Sequence, residues 1–246
     1  MTVDAVIAAN APYWGAEAEI CRTYFRSPTR TAATDAAWLA RQAAKELLDG
    51  VVPRLRALDA ALASGAVNPA PLAVVAEELH EEAVHFAAFV AAYERVRPAG
   101  APALDRHELE SAVAWPGNVA LGALRAAHLA RDEHLGAVAG SVTEGGGCAV
   151  FHEGVALAGG TDADEAIAEA CATVLADEAA HMLVGLEEAG RAGLTAEEWS
   201  IVVTMSVAQS RARLVMRDQQ FGGVVGAARL GELIESGAAP LVPGAR

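Results

Sequence analysis

Two stretches decide the fold: Leu79-His80-Glu81-Glu82-Ala83-Val84-His85-Phe86 and Leu175-Ala176-Asp177-Glu178-Ala179-Ala180-His181-Met182, set 96 residues apart. Aligned, both read Leu-x-acid-Glu-Ala-x-His-apolar. The Glu and the His of each copy are three residues apart, which places them on one face of a helix. Apolar residues flank each Glu at −3 and +4, Leu79 and Phe86 in the first copy and Leu175 and Met182 in the second. The same face should therefore meet a core. Buried carboxylates without compensation cost several kcal/mol each, so cations must lie close by.

Working outward, breaker residues divide the rest of the chain into helices. Thr34-Asp35 can cap a helix that runs to Gly65, with a kink at Pro53. Ser64 to Pro69 reads as a turn, and the first octamer lies on a helix from about Pro71 to Val96. Residues 103–116 read as one short helix closed by Trp115-Pro116-Gly117-Asn118. Asn118 can cap a third long segment to about Ala158. Gly159-Gly160 ends it, and Thr161 or Asp162 caps the helix of the second octamer, to about Ala189. Thr195 followed by Glu197-Glu198 opens a last helix to about Ser236, and residues 237–246 read as a loose tail. No stretch alternates with period two, so the expected fold class is all-α. With no linker between halves, residues 1–246 read as one helical domain, its bundle core at about 34–190 and its C-terminal helix at about 195–236.

Composition narrows the partners. The 246 residues carry 32 acidic and 18 basic side chains, net −14, which repels nucleic-acid backbones and anionic membrane surfaces. Apolar runs such as Ile201–Met205 are far too short to span a bilayer. The N-terminus lacks the basic start of a signal peptide, and three cysteines make no disulfide framework. The expectation is a soluble cytoplasmic protein that binds neither nucleic acid nor membrane, with a homodimer compatible with this reading.

Two Glu-x-x-His helices plus one Glu from each of two further helices make the di-iron or di-manganese site of ferritin-like bundles. Four carboxylates and two neutral imidazoles would balance two divalent ions. The two further glutamates follow from spacing. Glu46 precedes Glu82 by 36 residues across the turn at 64–69, and the two arms, roughly 28 Å and 20 Å, bring them to similar heights. Asp49 is a weaker alternative. Glu144 precedes Glu178 by 34 residues across the Gly159-Gly160 turn, whereas Glu153 lies too near that turn and Glu133 too far. Gly145-Gly146-Gly147 after Glu144 is a poor helix former, read either as a solvated loop or as a bulged turn leaving room for oxygen or substrate. On the second helix Glu77 and His80 form a competing pair, but their face is less apolar than that of Glu82 and His85.

These residues resemble the ferritin-like non-haem di-iron oxygenases. Ser141-Val142-Thr143-Glu144 followed by His152, and Cys171-Ala172-Thr173-Val174-Leu175-Ala176-Asp177-Glu178-Ala179-Ala180-His181, are similar to the third and fourth helices of soluble acyl-carrier-protein desaturases and, through His152, to arylamine N-oxygenases. The first half matches through Ala76 to His85 and the spacing to Glu46. The resemblance implies a ferritin-like up-down four-helix bundle with additional helices at both ends. It implies Glu46, Glu82, His85, Glu144, Glu178 and His181 as metal ligands, with Glu82 and Glu178 the catalytic bridges between two iron ions; manganese suits the same donors. It further implies that Glu81 supports His181 and Asp177 supports His85 through the free ring nitrogen. His152 could be a third nitrogen ligand or lie just outside the ligands, against the plainer reading of a polar core histidine.

The implied activity is an O2-dependent oxidoreductase, a monooxygenase or desaturase that hydroxylates, N-oxygenates or desaturates a small organic substrate with an external reductase or ferredoxin as electron donor. The alternatives are a ferritin- or rubrerythrin-like ferroxidase or peroxidase and a non-catalytic ferritin-like scaffold. Phe89 stands where the ribonucleotide reductase small subunit keeps its radical Tyr, which argues against radical storage. Arg211, Arg213 and Arg217 read either as surface salt bridging or as a clamp for a carboxylate substrate. Cys148, Cys171 and the four tryptophans read as packing residues.

Overall fold

Helix starts in the computed structural model follow the capping chemistry of the sequence. The structure describes residues 2–63, 69–191 and 193–236, with the side chains of 69–71, 179–185 and 188 outside the description. The described residues form α1 (Val3–Phe25), α2 (Ala32–Lys45), a π-helical turn (Glu46–Val51), α3 (Val52–Ala63), α4 (Pro69–Val96), α5 (Arg106–Val113), α6 (Pro116–Arg131), α7 (Glu133–Val142), α8 (Glu144–Val155), α9 (Asp162–Arg191), α10 (Ala196–Gln220) and α11 (Gly226–Ser236). No strand occurs among them, so the all-α class holds. No described helix is long and apolar enough to cross a membrane.

Several boundaries differ from the sequence reading, each for a local reason. The second helix is capped by Thr31, whose hydroxyl accepts from the Thr34 N–H while the Thr34 side chain returns the bond, so Thr34 is the third helical residue and not the cap. Pro53 does not kink a plain α-helix. The six-residue π turn just before it widens the backbone where a proline ring would clash with the carbonyl four residues back. Asn118 does not cap α6; Trp115 does, with Pro116 in the first helical position, where its missing N–H is harmless. The expected third segment from 118 to 158 is three helices. Asp132 ends α6 and caps α7 through the Leu135 N–H. Thr143 ends α7, its hydroxyl donating to the Gly140 carbonyl and accepting from Arg125. Thr161, not Asp162, caps α9 in a reciprocal pair with Asp164. Thr195 and Glu198 form the expected capping box. The last helix breaks after Gln220, where Gly222 and Gly223 adopt positive φ and the Asp218 carbonyl accepts from the Gly223 N–H. The tail 237–246 and the turn 64–68 lie outside the described residues.

The chain, expected as one domain, groups into two compact units drawn from separated stretches. The first comprises Met1–Thr29, Trp115–Ala156 and Leu175–Arg246; the second comprises Arg30–Ala114 and Leu157–Val174. In the first unit α10 packs against α1, α6 and α7. One apolar core there joins Val6, Leu135, Val138, Leu186, Trp199 and Val202. Beside it runs a buried polar seam between α1 and α10. Asn10 donates to the Ser206 hydroxyl (2.9 Å) and accepts from that of Ser210 (2.8 Å). Farther along, Glu17 accepts from both Arg213 and Arg217, each at 2.9 Å. In the second unit α2 and α4 pack together, with α5 on α2 and α3 on α4. Trp38 meets Phe89 edge to face in its core, ring centroids 6.2 Å apart. Arg30 ties Asp35 of α2 to Asp164 of α9.

Candidate metal centre

The second unit places Glu46, Glu82 and His85 together, all three buried. One donor atom from each lies within 4.8 Å of the others. Among the described residues this is the one group of three or more Glu, Asp, His or Cys side chains that meets so closely. Glu82 and His85 project from one face of α4, as their spacing requires. Glu46 opens the π turn after α2. The competing pair on α4, Glu77 and His80, is exposed. Asp49 is exposed too, 3.5 Å from the Lys45 ammonium.

The walls of this cluster come from α2, the π turn and α3. Gln42 donates its amide to the Glu46 carboxylate at 2.5 Å. Gly50 lies against Glu82 so closely that a Cβ there would stand 2.2 Å from Oε2. Arg54 of α3 brings Nη2 to 3.1 Å from Oε1 of Glu82, and its Nε lies 3.6 Å from Glu78. Gln42, Glu46, Gly50 and Arg54 are spaced four apart. Each such step over-rotates an α-helix by roughly 40°, and the wider π turn takes up part of that drift, so all four reach the Glu82 side. The sequence reading missed Gln42, Gly50 and Arg54. The four-residue recurrence through Glu46 is the signal that carries them.

The cluster brings two carboxylates and one imidazole together, with the Arg54 guanidinium beside Glu82. Carboxylate oxygen and imidazole nitrogen are the donors that suit iron, manganese or zinc. Bonds of about 2.1 Å place two ligands of one ion up to about 4.2 Å apart, so three donors within 4.8 Å reach a common ion by small side-chain adjustments. The residues present fit a divalent cation.

Glu144, Glu178 and His181 belong to the first unit. Glu144 is the first residue of α8 and is half-buried, as are Glu178 and Asp177 on α9. The His181 side chain lies outside the described residues. Within this unit burial opposes the charge of Arg213, but Glu17, Glu144 and Glu178 hold the guanidinium protonated more strongly than usual. Burial, with Glu178 and Glu144 beside it, pushes the Cys148 thiol up to about 11. The glycine run leaves no open space for oxygen or substrate where it faces α1 and α10. A Cβ on Gly145 would stand 2.5 Å from the Trp14 ring, and one on Gly146 would stand 2.0 Å from the Glu17 carboxylate. Gly145 and Gly146 leave room for Trp14, Glu17 and Arg213 to pack onto the backbone, whereas a Cβ on Gly147 would meet only ordinary contacts, 3.7 Å from Phe151 and 3.8 Å from Arg213. Likewise, Arg213 and Arg217 clamp a carboxylate, but it is the chain's own Glu17. Arg211 is exposed.

The other candidate residues lie outside the cluster. Glu81 is half-buried on α4 and His152 is exposed on α8. Glu153 is engaged by Arg22 of α1, and Glu133 is exposed. Cys21 and Cys171 are buried and unbridged. Comparison of the chain with family models, with curated proteins and with solved structures gives no match.

Proposed function

We propose that the chain is a metal-dependent oxidoreductase of the non-haem di-iron type, acting with O2 on a small organic molecule and drawing electrons from an external donor. The observation that carries this reading is the buried cluster of Glu46, Glu82 and His85, whose donor atoms lie within 4.8 Å of one another. In this proposal Glu46, Glu82 and His85 hold one metal. Glu144, Glu178 and His181 are the second ligand set, on the strength of the repeated octamer alone. The ferritin-like four-helix arrangement is proposed on the same ground. Two ferrous ions, when bound, would supply two of the four electrons that reduce O2, the other two coming from the C–H or N–H bond that is oxidised, and the external donor would restore the ferrous state.

The residues of this chain do the rest. Glu46 and Glu82 provide the negative charge that draws a dication into a buried site. Gln42, by donating to Glu46, keeps that carboxylate aimed inward. His85, wholly buried, adds a neutral nitrogen donor. Trp38 and Phe89 form an apolar pair one helical turn beyond His85, which keeps that side of the site dry.

A second reading, a helical scaffold without metal, is favoured by one observation: arginines already answer part of this charge, Arg54 at Glu82 and Arg213 near Glu144 and Glu178. Metal content after anaerobic loading with ferrous ion separates the two. The expected result is about two irons per chain in the wild type, with substantial loss in both Glu82→Ala and Glu178→Ala. One iron, lost in Glu82→Ala and kept in Glu178→Ala, would replace the binuclear proposal by a mononuclear one. No iron in the wild type would leave the scaffold reading. Reductant-dependent O2 consumption, screened against small-molecule substrates, then tests for oxygenase activity; iron oxidation without organic product would indicate a ferroxidase.

A further inference from the structure

Two glutamates one turn apart on α4 share a single guanidinium. Glu78 and Glu82 are spaced four residues, so their carboxylates stand one above the other on the same face. Arg54 of α3 reaches across to both, with Nη2 3.1 Å from Glu82 and Nε 3.6 Å from Glu78, while its Nη1 donates to the Gly50 carbonyl at 3.4 Å. The two acids differ in surroundings. The Glu82 side chain is 11% exposed and belongs to the Glu46–His85 cluster, whereas the Glu78 side chain is 42% exposed.

Charge balance favours a different partner for Arg54 once a metal enters. Glu46, Glu82 and neutral His85 carry two negative charges, which one divalent ion cancels. Arg54 at Glu82 would then leave an extra positive charge within a few ångströms of the metal, with the Glu82 carboxylate serving both. Like charges at that separation repel appreciably even at a partly exposed site. Glu78 offers a place to go. It sits one turn away, already within reach of the same guanidinium, and it is partly in water, where an arginine side chain is readily accommodated.

We propose that Arg54 is an internal counter-cation of the metal centre: it neutralises Glu82 while no metal is bound, and it shifts to Glu78 as the metal enters. This rests on the reading of Glu46, Glu82 and His85 as a metal site. Arg54 is a positioning residue. It touches no reacting atom, and it sets how tightly and how selectively by charge the site binds: a monovalent ion gains too little to displace it and a divalent ion gains enough. Glu78 completes the device, because without a receiver Arg54 stays on Glu82.

Cobalt(II) titrations of the full chain, followed by visible absorbance, test this alongside thermal melting of the metal-free protein. In Arg54→Gln, cobalt should bind about tenfold more tightly than in the wild type, while the metal-free protein melts at a lower temperature. In Glu78→Gln, cobalt should bind about threefold more weakly with melting unchanged. The opposite signs distinguish a displaceable counter-cation from a merely structural arginine, whose loss would lower melting temperature and metal affinity together. Cobalt binding in the wild type with equal or weaker affinity in Arg54→Gln would overturn the inference and leave the metal reading standing. Cobalt binding by Arg54→Gln alone would support it. No binding by either protein would remove both. Should Arg54→Gln fail to fold, Glu78→Gln, altered at a partly exposed position, decides by itself: unchanged affinity overturns the proposal.

Discussion

Gly50→Ala is the sharpest probe of the cluster, because a single methyl group is aimed at one carboxylate. The new Cβ would stand 2.2 Å from Oε2 of Glu82 and 2.8 Å from its Cδ. Ordinary contact begins near 3.4 Å, so the oxygen must retreat by more than about 1 Å. It sits at the end of a flexible side chain, so the carboxylate swings away and the helix survives. Metal–ligand bonds tolerate displacements of only about 0.2 Å. Glu82 therefore leaves the donor set, and metal affinity should fall by about 100-fold. Stability should hardly move. Alanine in place of an interior helical glycine gains up to about 1 kcal/mol, and weakening the partly exposed Arg54–Glu82 pair forfeits about as much. Cobalt titration and urea unfolding of the same preparation measure the two quantities. Wild-type affinity in Gly50→Ala would refute the assignment of Glu82 as a ligand. A stability loss above about 3 kcal/mol would refute the claim that the carboxylate alone gives way.

The first unit yields three further expectations. Glu17→Gln should destabilise the chain by about 3–5 kcal/mol in urea unfolding at neutral pH, because Arg213 and Arg217 are left buried without their carboxylate. Burial pushes the Glu17 carboxyl up, but Arg213 and Arg217 together hold it below its ordinary 4.5. Its contribution is thus complete above pH 4.5 and is lost as pH falls through the lower folded value, so the gap between wild type and Glu17→Gln should narrow only in acid. Gly145→Ala should cost about 1–3 kcal/mol by the same assay, since the Cβ would press on the rigid Trp14 ring; an unchanged midpoint would show that the ring can move aside. Finally, Cys148 in the metal-free native protein should resist iodoacetamide at pH 8 and react only as pH nears its raised value of about 11; rapid labelling at pH 8 would contradict its placement beside Glu144 and Glu178.

Much of the fold was legible because it rests on local chemistry. Thr195 and Glu198, and the turn at Gly159-Gly160, announce helix ends through bonds that span only a few residues. The spacing that paired Glu46 with Glu82 was likewise legible, since a helical hairpin converts residue counts into heights. Less was legible where backbone geometry departs from the ideal. The π turn at Glu46–Val51 has no composition of its own, so the four-residue recurrence that carries Gly50 and Arg54 to Glu82 reads in the sequence as a drift off the helix face. The glycines at 145–147 misled for a related reason. A sequence records that a side chain is missing but not what occupies the space, here Trp14 and Glu17 from more than 120 residues away.

The seam between α1 and α10 bears on the order in which the chain can fold. Its bonds join residues 196 and 200 positions apart, from Asn10 to Ser206 and Ser210, and from Glu17 to Arg213 and Arg217. Such high contact order makes for slow closure, and during synthesis α1 leaves the ribosome long before α10 exists. Until then Glu17 lacks both of its arginines and Asn10 both of its hydroxyl partners, while α7 and α8 can already cover another part of α1. The second unit is complete once Val174 has been made, whereas the first must wait for the last of its arginines. A nascent chain of this protein thus carries α1 with its polar seam open until α10 has been made.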